Sequence, residues 1–156
     1  MQRGRADPHG GALSAAVPIG WRLRAIAASA IVPPLLEVVS FARIERMLAV
    51  AAHIPMSRAP DDLVAARWVD GFLSRLRGPW QFTCLRRAAV LYYLLRSAGR
   101  AVDLCIGVRR DEGGVLHAHA WLLRDGALYL ESARSSERVA DFSVIARFPQ
   151  PVARPA

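Results

Sequence analysis

Residues 83–99 read TCLRRAAVLYYLLRSAG, with a cysteine at the start of a long apolar run. Thr83 belongs to the residue types that cap helix N-termini, and Gly99 to the type that most often follows a helix C-terminus. The run between them is apolar on most sides of a helix, which is typical of helices at the centre of a domain. The stretch therefore predicts a central helix over 84–98, with the thiol of Cys84 in its first turn.

The segment after this helix has the alternating pattern of β-strands. Apolar residues at 102, 104, 106 and 108 share one face of a strand predicted over 101–109. Further strands are predicted over 115–124, 127–131 and 139–148, and Asp125-Gly126 is a favoured two-residue turn between the first two of these. Helices followed by an antiparallel sheet indicate the α+β class.

The N-terminal part is predicted to be helical after a mobile tail over 1–17. A first helix over 18–31 is expected to stop near Pro33-Pro34, because proline interrupts helical hydrogen bonding. A second helix is predicted over 35–54, where apolar residues recur with a helical period.

A third helix is predicted over 63–76, after a linker at 57–60. Asp61 or Asp62 is expected to cap it. Its apolar positions include four residues spaced by four, namely Val64, Trp68, Phe72 and Leu76. The predicted organisation is one compact domain, with an N-terminal helical segment at 18–60 and a core at 61–150.

Composition restricts the classes of protein to consider. The 156 residues, 53% of them apolar, suit one globular domain with a hydrophobic core. The formal net charge is +8, with arginine as the only basic residue besides histidine. No nucleic-acid-binding motif accompanies this charge, so nucleic acid is not a predicted partner.

Neither a membrane span nor a signal peptide is predicted. The longest apolar run, over 25–36, has 12 residues and contains two prolines, whereas a spanning helix needs about 20. Two cysteines, Cys84 and Cys105, are too few for a disulfide framework. Free thiols and a cytoplasmic location are therefore expected.

A thiol, an imidazole and a carboxylate follow one another along the chain, which suggests a thiol nucleophile with an oriented base. A cysteine attacks as its thiolate, and the backbone N–H groups of a helix N-terminus stabilise that anion. Cys84 is therefore the predicted nucleophile. Cys105 lies in mid-strand between Leu104 and Ile106 and is predicted to be an inert core residue.

His117 and His119 lie two residues apart on a predicted strand, so both side chains point to one face of the sheet. A histidine beside the Cys84 thiolate can act as a base, and each histidine also fits a structural, hydrogen-bonded role. A zinc site made of His117, His119, Cys84 and Cys105 is the alternative chemistry. No CxxC or HExxH motif supports zinc.

Glu131 is the candidate partner for the second nitrogen of the base. In a two-residue hairpin Leu122 faces Tyr129 and Ala120 faces Glu131, which makes Glu131 a diagonal neighbour of His119. The alternation of the strand nevertheless puts Glu131 on the face of Ala120, so a bulge or a twist at the strand end must redirect it.

Three other polar residues are weaker candidates. Asp125 and Asp141 are alternative acids. Gln81 precedes the nucleophile, and its amide with the backbone N–H of Cys84 would make an oxyanion hole, although a solvent-facing loop glutamine fits the pattern at least as well.

A resemblance to a known family rests on the run Cys84–Leu95, followed by Gly99, Ile106-Gly107-Val108 and His119-Ala120-Trp121. This combination resembles the lasso peptide biosynthesis B2 proteins, which are transglutaminase-like cysteine peptidases. The resemblance covers about Asp61 to Phe148.

The resemblance implies a papain/transglutaminase-like fold, in which a cysteine-bearing central helix packs on an antiparallel sheet. It implies Cys84 as the nucleophile and His119 as the base, with no cofactor. The family acid is usually aspartate, and Glu131 stands at the equivalent place. His117 and Trp121 are then expected in the substrate groove.

The implied activity is removal of the leader peptide from a ribosomally synthesised precursor. The implied partners are that precursor, a small leader-recognition B1 protein and a lasso cyclase. A non-catalytic module of the same fold, which binds a peptide or a partner enzyme, is the alternative function.

Overall fold

The structure is a computed structural model that describes residues 17–40, 43, 46, 59–77, 83–131 and 138–149. The helices with described bounds are α1 (Ile19–Val38), α2 (Asp62–Leu73) and α3 (Cys84–Ser97). The strands are β1 (Asp103–Arg110), β2 (Leu116–Arg124), β3 (Ala127–Tyr129) and β4 (Ser143–Phe148), and a 3₁₀ turn at Val139–Asp141 precedes β4.

The strands form an antiparallel sheet in the order β3-β2-β1-β4. Leu104 of β1 and Leu122 of β2 belong to the same buried cluster as Val69 of α2 and Leu91 of α3. The helices therefore pack on one face of the sheet, and the main core lies between the two layers. The predicted α+β class is confirmed.

The opposite face of the sheet carries a second, smaller cluster made of Cys105, Trp121 and Phe142. Cys105 pairs with Trp121 across β1 and β2, and Phe142 follows the 3₁₀ turn before β4. Because side chains alternate between the two faces of a strand, residues 117, 119 and 121 lie on this second face.

Helix α1 runs through Pro33 and Pro34, so the prediction that a first helix stops near them is wrong. The Val39 N–H donates to the Leu35 carbonyl at 2.9 Å, so helical hydrogen bonding resumes beyond both prolines. A proline inside a helix costs about 3 kcal/mol. Burial of Val32 and Pro33 in the core works against this cost.

Most of the helix predicted over 35–54 lies outside the described residues.

The window Ile19–Leu36 of α1 is long and apolar enough to cross a membrane, by length and composition alone. A core helix or a signal sequence near the N-terminus passes the same test, so one such helix is weak evidence for a membrane span. One third of this window is buried, with Trp21 and Ala25 in the main core.

Helix α2 ends at Leu73, three residues before its predicted end, and Asp61 caps it by accepting from the Leu63 N–H at 2.9 Å. Its buried row is Ala65, Ala66, Val69 and Leu73. The predicted row at 64, 68, 72 and 76 is only half-buried. Two of these residues, Trp68 and Leu76, pack against the edge of the main core. Trp68 stacks on Phe72 with ring centroids 5.1 Å apart, and Trp68 borders the core.

The sheet follows the sequence prediction except at the N-terminal end of the last strand and at the C-terminal end of β3. The predicted strand at 139–148 contains a 3₁₀ turn before the shorter β4. Strand β3 ends at Tyr129 instead of Glu131, because Leu130 has a φ of 53°, which leaves the extended conformation.

Candidate functional site

Cys84 is the first residue of α3, and its local structure follows from its neighbours. Thr83 caps the helix by accepting from the Arg86 N–H at 3.2 Å, as predicted. Gly99 has a φ of 76°, the left-handed conformation that ends helices. Cys84 is half-buried, and its Sγ atom lies 3.9 Å from the carbonyl oxygen of Ala118. The helix therefore brings the thiol to β2 at the residue before His119.

His119 is 5% exposed and lies on the second face of the sheet. Its imidazole stacks on Trp121, with ring centroids 5.9 Å apart at 19°, and approaches Phe142 at 5.5 Å. Two aromatic rings thus restrict the imidazole and shield it from water.

Gly107 of β1 pairs with His119 across the sheet and makes room for the Trp121 ring. A Cβ atom at residue 107 would lie 2.7 Å from Cη2 of Trp121 and 3.0 Å from Cβ of Phe142. Such distances are far inside van der Waals contact, so only glycine permits this packing.

Glu131 reaches His119 in the structure. Its Oε1 atom lies 3.6 Å from Nε2 of His119, within ion-pair distance. The β2–β3 register joins Leu122 to Tyr129, which is the pairing predicted for the hairpin. The left-handed Leu130 then turns the chain, and this is the strand-end redirection that the alternation requires.

His117 takes a different position from His119. Its Nε2 atom lies 2.8 Å from Oδ2 of Asp111, and both side chains are about one-third exposed. The hydrogen bond from His117 and that from the Val115 N–H hold the pKa of Asp111 below its usual range. His117 is thus engaged by the β1–β2 turn, and its role in a substrate groove stays a prediction.

The other predicted residues have distinct locations. Gln81 lies outside the described residues, so the oxyanion hole stays a prediction. Trp121 is 4% exposed and packs beside His119, and its groove role also stays a prediction. Cys105 is buried as expected, and this burial raises the pKa of its thiol.

Metal ligation has little support in the part of the chain that the structure describes. There, no group of three or more His, Cys, Asp or Glu side chains is arranged to hold a metal ion. The zinc set of the sequence analysis is therefore not gathered into one cluster.

The sequence analysis did not place Gly107 and Phe142 beside the His119–Trp121 pair. Both residues shape the surroundings of these rings, and a glycine in mid-strand was the available signal for close packing. Phe142 comes from a segment distant in sequence, so no local pattern connects it to His119.

A family model of the transglutaminase-like superfamily matches residues 15–147. The chain belongs to the transglutaminase-like superfamily. This superfamily includes cysteine peptidases and transferases. The match begins before α1, so the family domain includes the N-terminal helix as well as the cysteine helix and the sheet. No curated protein and no solved structure shows significant similarity to the chain.

Proposed function

We propose that this chain is a cysteine peptidase that removes the leader from a lasso peptide precursor. The observation that carries the proposal is the Glu131 carboxylate 3.6 Å from Nε2 of His119, next to the strand residue that the Cys84 thiol contacts. The thiol lies in α3, the imidazole lies in β2 and the carboxylate follows β3, and all three fall within the transglutaminase-like match.

The first half of the reaction is acyl transfer to sulfur. Nε2 of His119 is directed at Glu131, which leaves Nδ1 to exchange a proton with Cys84. The sulfur attacks the carbonyl carbon of the scissile amide while its proton passes to the imidazole. The imidazolium then protonates the amide nitrogen, the C–N bond breaks, and the core peptide leaves with a free amine.

The second half returns the enzyme to its starting state. His119 takes a proton from water, and the resulting hydroxide attacks the thioester carbon. The C–S bond breaks, the leader leaves as a carboxylic acid that loses its proton to solvent, and the proton on His119 returns to the Cys84 thiolate. Glu131 stabilises the imidazolium in both halves because it carries the opposite charge beside Nε2.

The choice of a lasso precursor rests on the motifs around the site. The run Cys84–Leu95 and the His119-Ala120-Trp121 triplet carry the resemblance to B2 leader peptidases. In this proposal a small B1 protein presents the leader, and a lasso cyclase receives the freed core peptide. No cofactor takes part.

The deciding experiment is cleavage of a precursor peptide in the presence of its leader-recognition protein. Cys84→Ala is expected to abolish cleavage, and Cys105→Ala is the matched control that keeps it. Undiminished cleavage by Cys84→Ala excludes the proposal.

The same assay separates a peptidase from a transferase. In water labelled with ¹⁸O, a peptidase puts one labelled oxygen into the new carboxylate of the leader, because water resolves the thioester. A leader that instead carries an added amine, with no label, indicates a transferase.

A further inference from the structure

Arg87 is a buried arginine in the same helix as the proposed nucleophile, one turn after Cys84. Its Nε atom lies 2.5 Å from Oδ1 of Asp70, and its Nη2 atom lies 3.3 Å from Oδ2. A buried guanidinium needs such a partner, because removal of a charge from water is costly. The pair joins α2 to α3.

The third contact of Arg87 reaches the strand that leads to Glu131. Nη2 donates to the carbonyl oxygen of Leu130 at 2.7 Å. Leu130 is the residue in the left-handed conformation, which is unfavourable for leucine and requires support from its surroundings. A short charge-assisted hydrogen bond to its carbonyl provides that support.

The residue before Leu130 is held as well. The Tyr129 hydroxyl donates to Oδ2 of Asp62 at 2.6 Å, and Nη1 of Arg124 donates to the same hydroxyl at 3.0 Å. The strand end is therefore held at two consecutive residues before Glu131, once by α2 directly and once by the Arg87–Asp70 pair.

We propose that Arg87 is a positioning residue that directs the Glu131 carboxylate to His119 through the carbonyl of Leu130. The inference rests on the proposed peptidase function. Helix α3 then has two roles, since it carries the nucleophile in its first turn and holds the acid-bearing strand end from its second. The distance between thiol and acid is set by one rigid element.

Arg87→Lys is the primary test, because it keeps the charge and loses the fork that contacts Asp70 and Leu130 together. We expect kcat to fall by about 10²-fold, as for a small misplacement of a catalytic group, with KM nearly unchanged. Arg147→Lys is the matched control. Arg147 pairs with Asp103 at the opposite edge of the sheet, and its variant is expected to keep kcat.

A double-mutant cycle with Glu131→Gln separates positioning from general structural support. If Arg87 acts through Glu131, Arg87→Lys lowers kcat in the wild-type background but changes it by less than about twofold in the Glu131→Gln background. If the kcat losses of Arg87→Lys and Glu131→Gln multiply in the double variant, the positioning role is wrong. An Arg87→Lys variant with wild-type kcat also overturns it.

Two further variants, Asp70→Asn and Cys84→Ala, separate failure of the Arg87 role from misfolding and from failure of the proposed function. If Arg87→Lys unfolds at the assay temperature, Asp70→Asn tests the same link through the same cycle, because it keeps the arginine and an amide oxygen for it. Cleavage by Cys84→Ala would overturn the peptidase function itself. If Cys84→Ala loses cleavage but the kcat losses of Arg87→Lys and Glu131→Gln multiply in the double variant, only the role of Arg87 is wrong.

Discussion

Nε2 of His119 lies 3.6 Å from Oε1 of Glu131, although the strand alternation assigns the two residues to opposite faces of the sheet. The left-handed Leu130 reconciles the two facts, because it ends β3 and turns the chain before Glu131. The acid of the proposed site therefore depends on one backbone conformation, and that conformation is held by a side chain from the cysteine helix.

Replacement of Glu131 tests the acid directly. Glu131→Gln removes the charge beside His119 while it keeps the side-chain shape, and we expect kcat for precursor cleavage to fall by roughly 10²- to 10⁴-fold. Glu112→Gln, in the exposed β1–β2 turn, is the control and is expected to keep kcat. If Glu131→Gln and Glu112→Gln have equal kcat, Glu131 is not the catalytic acid.

The two cysteines are expected to react differently with iodoacetamide in the native protein. Cys84 is half-buried at a helix N-terminus, whereas Cys105 is 1% exposed and its thiol pKa is raised by burial. Mass spectrometry at neutral pH is expected to find one alkyl group, on Cys84, and a second only after unfolding. Alkylation of native Cys84→Ala at the wild-type rate would contradict this assignment.

The raised pKa of the Cys105 thiol predicts that the stability of the fold changes at alkaline pH. Its pKa is raised in the folded state, mainly by burial, with Arg147 opposing and Asp103 adding to the shift. The unfolded chain then loses the thiol proton first, so the free energy of unfolding falls as pH rises above the ordinary thiol pKa and through the folded one. Tyr129, whose pKa is also raised, contributes at higher pH.

Denaturant titrations between pH 7 and 10 measure this effect. The decline is expected to be smaller in Cys105→Ala than in wild type, and the difference between the two curves isolates the thiol from Tyr129. Parallel curves would show that the Cys105 thiol titrates equally in the folded and unfolded chain.

The Asp111–His117 pair predicts an effect at acid pH. Because the His117 hydrogen bond and the Val115 N–H lower the pKa of Asp111, the folded state favours the carboxylate. The associated stability is present above the unfolded pKa of the carboxyl and is lost as pH falls through the folded one. NMR titration of Asp111 is expected to give a higher pKa in His117→Ala, whereas His117→Gln, which keeps a side-chain N–H donor, retains part of the shift.

Gly107 is expected to tolerate no side chain. Gly107→Ala places a Cβ atom 2.7 Å from the Trp121 ring, and overpacking of this kind typically destabilises by about 1–3 kcal/mol. Gly20→Ala is the matched control in α1, where the added Cβ meets nothing within 4 Å. It is expected to stabilise by about 0.4–1 kcal/mol, because alanine restricts the unfolded chain. Urea unfolding of the two variants measures whether the free energy of unfolding falls in Gly107→Ala and rises in Gly20→Ala.

Local patterns predicted most of the site elements. Thr83 and Gly99 mark the ends of α3 because capping depends on residues next to each other in the chain. The Asp125-Gly126 turn set the register that joins Leu122 to Tyr129. The continuation of α1 through two prolines was not predicted, because burial of one face against the core overrides a local preference.

The sequence by itself determined the order of thiol, imidazole and carboxylate and the β-hairpin that carries His119 and leads to Glu131, and its motifs carried the resemblance to a transglutaminase-like family. The hairpin follows from short-range periodicity and turn chemistry, which act within a few residues. Only the tertiary structure decided how Glu131 meets His119. Its direction depends on the left-handed Leu130 and on the bond from Arg87, which lies 43 residues earlier in the chain. Contacts of that span arise from packing of helix against sheet, and no local pattern specifies them.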